Sequence, residues 1–123
     1  MRILVVEDNP DAGSTLRMVL DELGHKVRLV HDGESALEVV IWFRPHVVIL
    51  DLGLPGLDGH ETALLMRHRV RSEKMMMVAL SGWGSDQVRE LSKVAGIEHH
   101  LVKPLDLDAL NGVLSLHPES GGK

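Results

Sequence analysis

The stretch Val47-Val48-Ile49-Leu50-Asp51 constrains this chain more than any other. Four consecutive apolar residues with no polar alternation suit a strand buried on both faces, as in a parallel sheet covered by helices. The segment that follows, Leu52-Gly53-Leu54-Pro55-Gly56-Leu57-Asp58-Gly59, must be a loop, because proline and repeated glycine punctuate any regular element. Asp51 therefore stands where a central parallel strand ends. In open α/β sheets that edge is where ligands and chemistry collect, so Asp51 is the expected functional centre.

Other segments repeat the theme. Ile3-Leu4-Val5-Val6 is a second apolar strand and ends in Glu7 and Asp8. Asn9-Pro10 reads as a helix cap followed by proline at the first helical position. Ala12, Leu16, Val19, Leu20 and Leu23 then fall at helical spacing before Gly24 ends the helix. Lys26-Val27-Arg28-Leu29-Val30 alternates, as a sheet-edge strand does. Helices are expected over about Glu34 to Phe43, ended by Pro45, and over about Gly59 to His68, with Arg69 to Lys74 a solvated connection. Met76-Met77-Val78-Ala79-Leu80 is another buried strand, its methionines core filler, and it ends at Ser81-Gly82. Ser85 can cap a helix carrying Val88, Leu91, Val94 and Ala95 on one face, with Gly96 as its stop. Leu101-Val102 is a short last strand before Lys103-Pro104, and Leu107, Leu110, Val113 and Leu114 stripe a final helix.

Five strands alternating with five helices call for a doubly wound five-stranded parallel sheet with right-handed crossovers, an α/β fold of flavodoxin-like type. A chain of 123 residues suits one such domain, expected over 1–117, with 118–123 a flexible tail. The net charge of −5 argues against direct nucleic-acid binding, since phosphate backbones favour basic surfaces. With no cysteine, disulfides, thiolate zinc sites and thiol catalysis are excluded. No apolar run approaches a membrane span, and the chain is expected to be cytoplasmic, with no membrane partner.

Four strands end in chemically active side chains: Glu7 and Asp8, Asp51, Ser81, and Lys103. Under the strand order 2-1-3-4-5 the first and third strands are neighbours, about 4.8 Å apart. Asp8 and Asp51 then face each other with Glu7 close by, and three such carboxylates call for a cation. Oxygen-only ligands in an open mouth favour Mg2+ over zinc or calcium. Ser81 adds a hydroxyl, and Lys103, roughly 10 Å away on the outer strand, can extend its ammonium inward. Such a set suits the three equatorial oxygens of a phosphoryl group, with Asp51 as nucleophile for an acyl phosphate.

These residues, with Pro55 and Asp58-Gly59 after Asp51 and the pairs Ser81-Gly82 and Lys103-Pro104, resemble the receiver domain of two-component response regulators. The resemblance runs from Arg2 to about Leu116, and two runs, Leu52 to Gly59 and His99-His100-Leu101-Val102-Lys103-Pro104, are similar to the C-terminal receivers of hybrid sensor kinases. It implies that Glu7, Asp8 and Asp51 hold Mg2+ with a backbone carbonyl of Gly53. It further implies that Ser81 and Lys103 contact the phosphoryl oxygens and that the Lys103-Pro104 bond is cis. The implied partners are a sensor histidine kinase or histidine phosphotransfer protein, and a downstream protein. The module is expected to be a monomer or weak homodimer and to lose its phosphoryl group by hydrolysis, a signalling domain rather than an enzyme.

The chain departs from that family at His100, where receivers carry Tyr or Phe as a switch residue. Either His100 does the switching or it is a half-buried histidine that the site tolerates. His99 and His100 are adjacent on a strand and point to opposite faces, which argues against a shared metal. Six other histidines read as surface residues, and Trp83 is expected at the mouth of the site. Val39-Val40-Ile41-Trp42-Phe43 is more apolar than one helix face requires, from a partner patch or a deeper local core. An aspartate-based phosphatase is the competing reading, but Gly53 stands where its second acid would be. A flavin carrier of similar topology would be repelled at Glu7-Asp8.

Overall fold

The computed structural model describes residues 1–53, 59–71, 74–82 and 93–120. Five parallel strands, β1 (Arg2–Val6), β2 (Lys26–Val30), β3 (Val47–Asp51), β4 (Met76–Ser81) and β5 (His99–Val102), form one sheet in the order β2-β1-β3-β4-β5. Its helices are α1 (Pro10–Glu22), α2 (Gly33–Phe43), α3 (Gly59–Arg69) and α4 (Leu107–Leu114). Four helices are thus described where five were expected. The missing one, proposed from Ser85, lies largely outside the described residues.

The unbroken apolar runs are explained by two cores. Successive strand residues point to opposite faces. Ile3, Val5, Val47, Ile49, Met76, Val78 and Leu80 therefore pack with Leu16 and Leu20 of α1 and Leu110 and Leu114 of α4. Leu4, Val6, Val48, Leu50, Met77 and Ala79 pack on the other face with Ala36, Leu37 and Val40 of α2 and Ala63 and Met66 of α3. The strands β1, β3 and β4 have no wet face, and β2, at the edge, keeps Lys26 and Arg28 exposed.

Local chemistry sets the element ends. Asn9 accepts the Ala12 N–H to start α1, Asp32 accepts the Ser35 N–H to start α2, and Asp106 accepts the Asp108 N–H to start α4. Gly24 and Gly96, at φ of +93° and +84°, take the backbone geometry that ends a helix.

Several side chains sit differently from expectation. In α1 it is Gly13, not Ala12, that is buried, and Leu23 is half exposed. Val94 is 76% exposed while Ala95 is buried, and Leu107 of α4 is exposed. Val70, expected in a solvated connection, is buried under α3. The α2 run divides: Val40 is core, whereas Ile41 and Trp42 are exposed, with the Arg28 guanidinium 5.2 Å from the Trp42 ring.

The histidines are not all surface residues. His117 is 3% exposed and its ring meets that of His46 edge to face. Residues 118–120, expected within a flexible tail, form a short 3-10 turn in which Ser120 Oγ donates to the carbonyls of Ser115 and His117.

Candidate functional site

The register of the sheet decides which strand-end side chains meet. Val6 pairs with Leu50, so Glu7 and Asp51 come next on adjacent strands. Asp51 pairs with Leu80 and Ser81 with Val102, which brings Ser81 and Lys103 to the same edge. Backbone bonds carry the ladder past the strands: Glu7 N–H to Val30 O at 3.0 Å, Leu52 N–H to Leu80 O at 2.9 Å, and Lys103 N–H to Ser81 O at 2.8 Å. The Lys103-Pro104 bond is cis.

Asp51, only 5% exposed, is held from two sides. Its Oδ1 accepts the Gly53 N–H at 2.9 Å and its Oδ2 accepts from Lys103 Nζ at 3.1 Å. The same ammonium donates to Glu7 Oε1 at 3.3 Å, and Glu7 Oε2 accepts the Asn9 N–H at 3.2 Å. Asp8 is exposed, and one oxygen from each of Glu7, Asp8 and Asp51 lies within 4.8 Å of the other two. The strand ends anticipated from sequence therefore converge.

Electrostatics distinguishes the carboxylates. Burial and a hydrogen bond to Asp51 push Glu7 up to about 7. Burial acts on Asp51 in the same direction, but hydrogen bonds from Glu7, the Gly53 N–H and Lys103 outweigh it and hold Asp51 below the usual carboxylate range. Burial likewise opposes the charge on Lys103, yet Asp51 and Glu7 raise it above its ordinary value. Of the two, Asp51 is the one held toward the ionised form. The pocket's negative charge is met by one ammonium, that of Lys103, and the Glu7, Asp8 and Asp51 side chains offer carboxylate oxygens. That donor set fits a hard divalent cation of the Mg2+ kind.

Ser81 is 6% exposed, and its Oγ lies 3.0 Å from His100 Nε2. His100 faces Ala79 in the β4–β5 register, so the contact joins neighbouring strands. Sequence reasoning named both residues without anticipating this bond. It also missed two backbone anchors of Glu7. Asn9 was read only as a helix cap, although its N–H also orients the Glu7 carboxyl. His31 Nδ1 holds the Glu7 carbonyl at 3.0 Å, for which the sequence carries no signal. Trp83, Pro55 and Asp58 lie outside the described residues.

Comparison with known proteins agrees with this geometry. Residues 3–115 match the family model described as response regulator receiver domain. The chain belongs to that family. This receiver domain is 40% identical over 111 residues to the transcriptional regulatory protein TcrA of Mycobacterium tuberculosis, covering 89% of this chain but 43% of that protein. It therefore spans less than half the length of that relative. It is 31% identical to sporulation initiation phosphotransferase F of Bacillus subtilis, covering 89% of this chain and 86% of that one. Among solved structures, it is similar to the receiver domain of a sensor histidine kinase of Pseudomonas aeruginosa that holds a magnesium ion in its active-site cleft. The TM-score is 0.85 at 30% identity, over 94% of this chain and 95% of that one. The beryllofluoride-activated receiver domain of RstA from Klebsiella pneumoniae gives a TM-score of 0.86 at 29% identity, over 95% and 97%.

The chain is accordingly a receiver domain of two-component systems, a signalling domain whose family works with histidine kinases or phosphotransfer proteins. Its acidic pocket fits Mg2+ and an aspartate phosphoacceptor. No helix among the described residues is long and apolar enough to cross a membrane.

Proposed function

We propose that Asp51 accepts a phosphoryl group in this chain, with Glu7, Asp8, Asp51 and the Gly53 carbonyl as oxygen ligands for Mg2+. The observation that carries this reading is the convergence on Asp51 of Lys103 Nζ, at 3.1 Å, and of two further carboxylates, within 4.8 Å. Bound Mg2+ supplies positive charge against the phosphoryl oxygens. An Asp51 oxygen attacks phosphorus, the P–N bond of a donor phosphohistidine breaks, and its electron pair and a proton remain on the imidazole. Lys103 and the Ser81 hydroxyl serve the equatorial oxygens. Water later attacks phosphorus, the acyl P–O bond breaks, and inorganic phosphate leaves with the carboxylate restored.

Signalling follows from Ser81. Its hydroxyl is hydrogen-bonded to His100, and a phosphoryl oxygen on Asp51 would compete for it. In this reading His100 is the switch residue in place of Tyr or Phe, and Trp83 and Pro104 tune the site. The donor is a sensor histidine kinase or phosphotransfer protein, and the output passes to a downstream protein in the cytoplasm. The module acts as a monomer or weak homodimer, without direct contact to nucleic acid or membrane. Incubation with acetyl phosphate and Mg2+ should add one phosphoryl mass to the protein, and both chelation and Asp51→Asn should prevent it. Full labelling of the Asn variant would refute the assignment.

A further inference from the structure

At the sheet edge opposite Asp51, histidines accept hydrogen bonds at Nδ1. His46 takes the Arg2 N–H at 2.9 Å and His117 takes the Glu119 N–H at 3.0 Å. A ring nitrogen that accepts carries no proton, so both rings are neutral with their hydrogen on Nε2. His117 shows this a second time, because its Nε2 faces the Lys74 carbonyl, which can only accept. His31, at the phosphoacceptor edge, is the contrast. Its Nδ1 faces the Glu7 carbonyl and must donate, a bond that survives protonation.

The surroundings of His46 disfavour charge. The His46 and His117 rings meet with centroids 5.6 Å apart, and His117 is 3% exposed. Beside them Arg2, Arg44, His46, Lys74 and Glu119 line a cavity of about 170 Å3. Among the described residues, the charged groups around His46 and this cavity are the Met1 amino group ahead of β1, Arg2 from β1, Arg44 after α2, Lys74 before β4 and Glu119 from the C-terminal turn. Of these, Glu119 is the group that favours an imidazolium at His46. Burial first, then Arg2 and His117, hold His46 below its usual value.

We propose that His46 and His117 form an acid-sensitive latch that holds residues 117–120 against the sheet edge opposite Asp51 and frees them when the rings become charged. A proton on Nδ1 displaces the amide hydrogen now bound there. Protonating both rings therefore releases the Arg2 and Glu119 N–H groups and sets two like charges face to edge. The bonds of Ser120 to the His117 carbonyl, from its N–H at 2.9 Å and its Oγ at 2.7 Å, go with the turn. The path of the chain beyond the last helix then depends on pH, while the Glu7–Asp51–Lys103 cluster lies at the other end of the strands. With both Nδ1 atoms occupied by amide hydrogens in the shut form, a proton at Nδ1 is accommodated only on opening. Acid therefore favours the open form by about tenfold per pH unit for each ring that charges as it opens.

The test is amide hydrogen exchange on the full chain, as protection factors between about pH 7.5 and about pH 5.5. Protection at Glu119 and Ser120 should fall at least about tenfold across this range while that of Val5, Ile49 and Val78 in the central strands stays level. In His117→Asn, whose Oδ1 stands in for Nδ1 without titrating, most of the pH dependence should vanish. Protection at Glu119 and Ser120 that is flat with pH in the unmodified chain, or that falls equally in the central strands, overturns the latch. So does a His117→Asn protein with the full pH dependence, or imidazole nitrogen shifts that place the His117 hydrogen on Nδ1 at neutral pH.

Discussion

Lys103 Nζ lies 3.1 Å from Asp51 Oδ2 and 3.3 Å from Glu7 Oε1, so one ammonium serves two buried carboxylates. Lys103→Met keeps the aliphatic stem and removes the charge. Breaking a fully buried pair costs about 3–5 kcal/mol, but the Lys103 side chain is 37% exposed and solvent screens part of this. A loss of about 1–2 kcal/mol is expected in metal-free urea unfolding, with saturating Mg2+ recovering most of it. Unchanged metal-free stability would show that Lys103 does not neutralise the pocket.

Asp8 is the exposed member of the acid cluster, so its contribution is to the metal rather than to the core. Asp8→Ala should weaken Mg2+ binding by about ten- to a hundredfold, as loss of a metal-site contact generally does. The metal-free fold should hold or gain stability, because one of the crowded carboxyl groups is gone and its repulsion of Asp51 with it. Calorimetric titration reads the first effect and thermal unfolding the second. Wild-type affinity in this variant would dismiss the acid cluster as the cation site.

Gly59 opens α3 where its backbone crosses that of Leu52, directly after Asp51. A Cβ at this position would stand 2.7 Å from Leu52 Cα and 3.1 Å from its carbonyl oxygen, so backbone must move. Gly59→Ala should cost about 1–3 kcal/mol, the usual range for overpacking. Because the displaced segment leads out of the phosphoacceptor strand, labelling by acetyl phosphate should also slow. A variant as stable and as quickly labelled as wild type would mean that the contact is easily relieved.

What could be read in the sequence was the part written in unbroken patterns. Apolar runs ending in Glu7-Asp8, Asp51 and Ser81 marked central strands and their reactive ends, because burial on both faces leaves no alternation. The one-residue distinctions were not legible. A helical stripe through Ala12 does not reveal that Gly13 is the residue whose backbone nears β2, where a Cβ would stand 2.9 Å from Leu29 Cδ1. Long-range polar pairs were hidden too. Nothing local links His117 to His46, whose rings meet only where the C-terminal turn packs on the sheet edge, or Ser81 to His100, whose hydrogen bond depends on strand register and on the tautomer of the ring. Arg67 is a further case: it joins α3 to the carbonyls of Met75 and Gly96 and to Glu98, yet in the sequence it is an ordinary helix cation.

Asp32 caps α2 through the Ser35 N–H at 2.7 Å, and that bond holds its carboxyl below the usual range. A lowered folded-state value means the stabilisation is present above the unfolded pKa of about 3.9 and is lost as pH falls through the folded one. Asp32→Ala should therefore cost about 1 kcal/mol at neutral pH, and the gap to wild type should close in acid. Denaturant unfolding across that range checks it. A gap that widens in acid would contradict the cap.

The central claim is that Asp51 alone carries the phosphoryl group. Borohydride reduces an acyl phosphate to the alcohol, converting a phosphorylated aspartate to homoserine. Applied after acetyl phosphate and Mg2+, with peptide mass mapping, it should yield homoserine at position 51, with Glu7 and Asp8 unreduced. Reduction at Asp8 in place of Asp51, or phosphorylated protein with no reduced residue at 51, would contradict it.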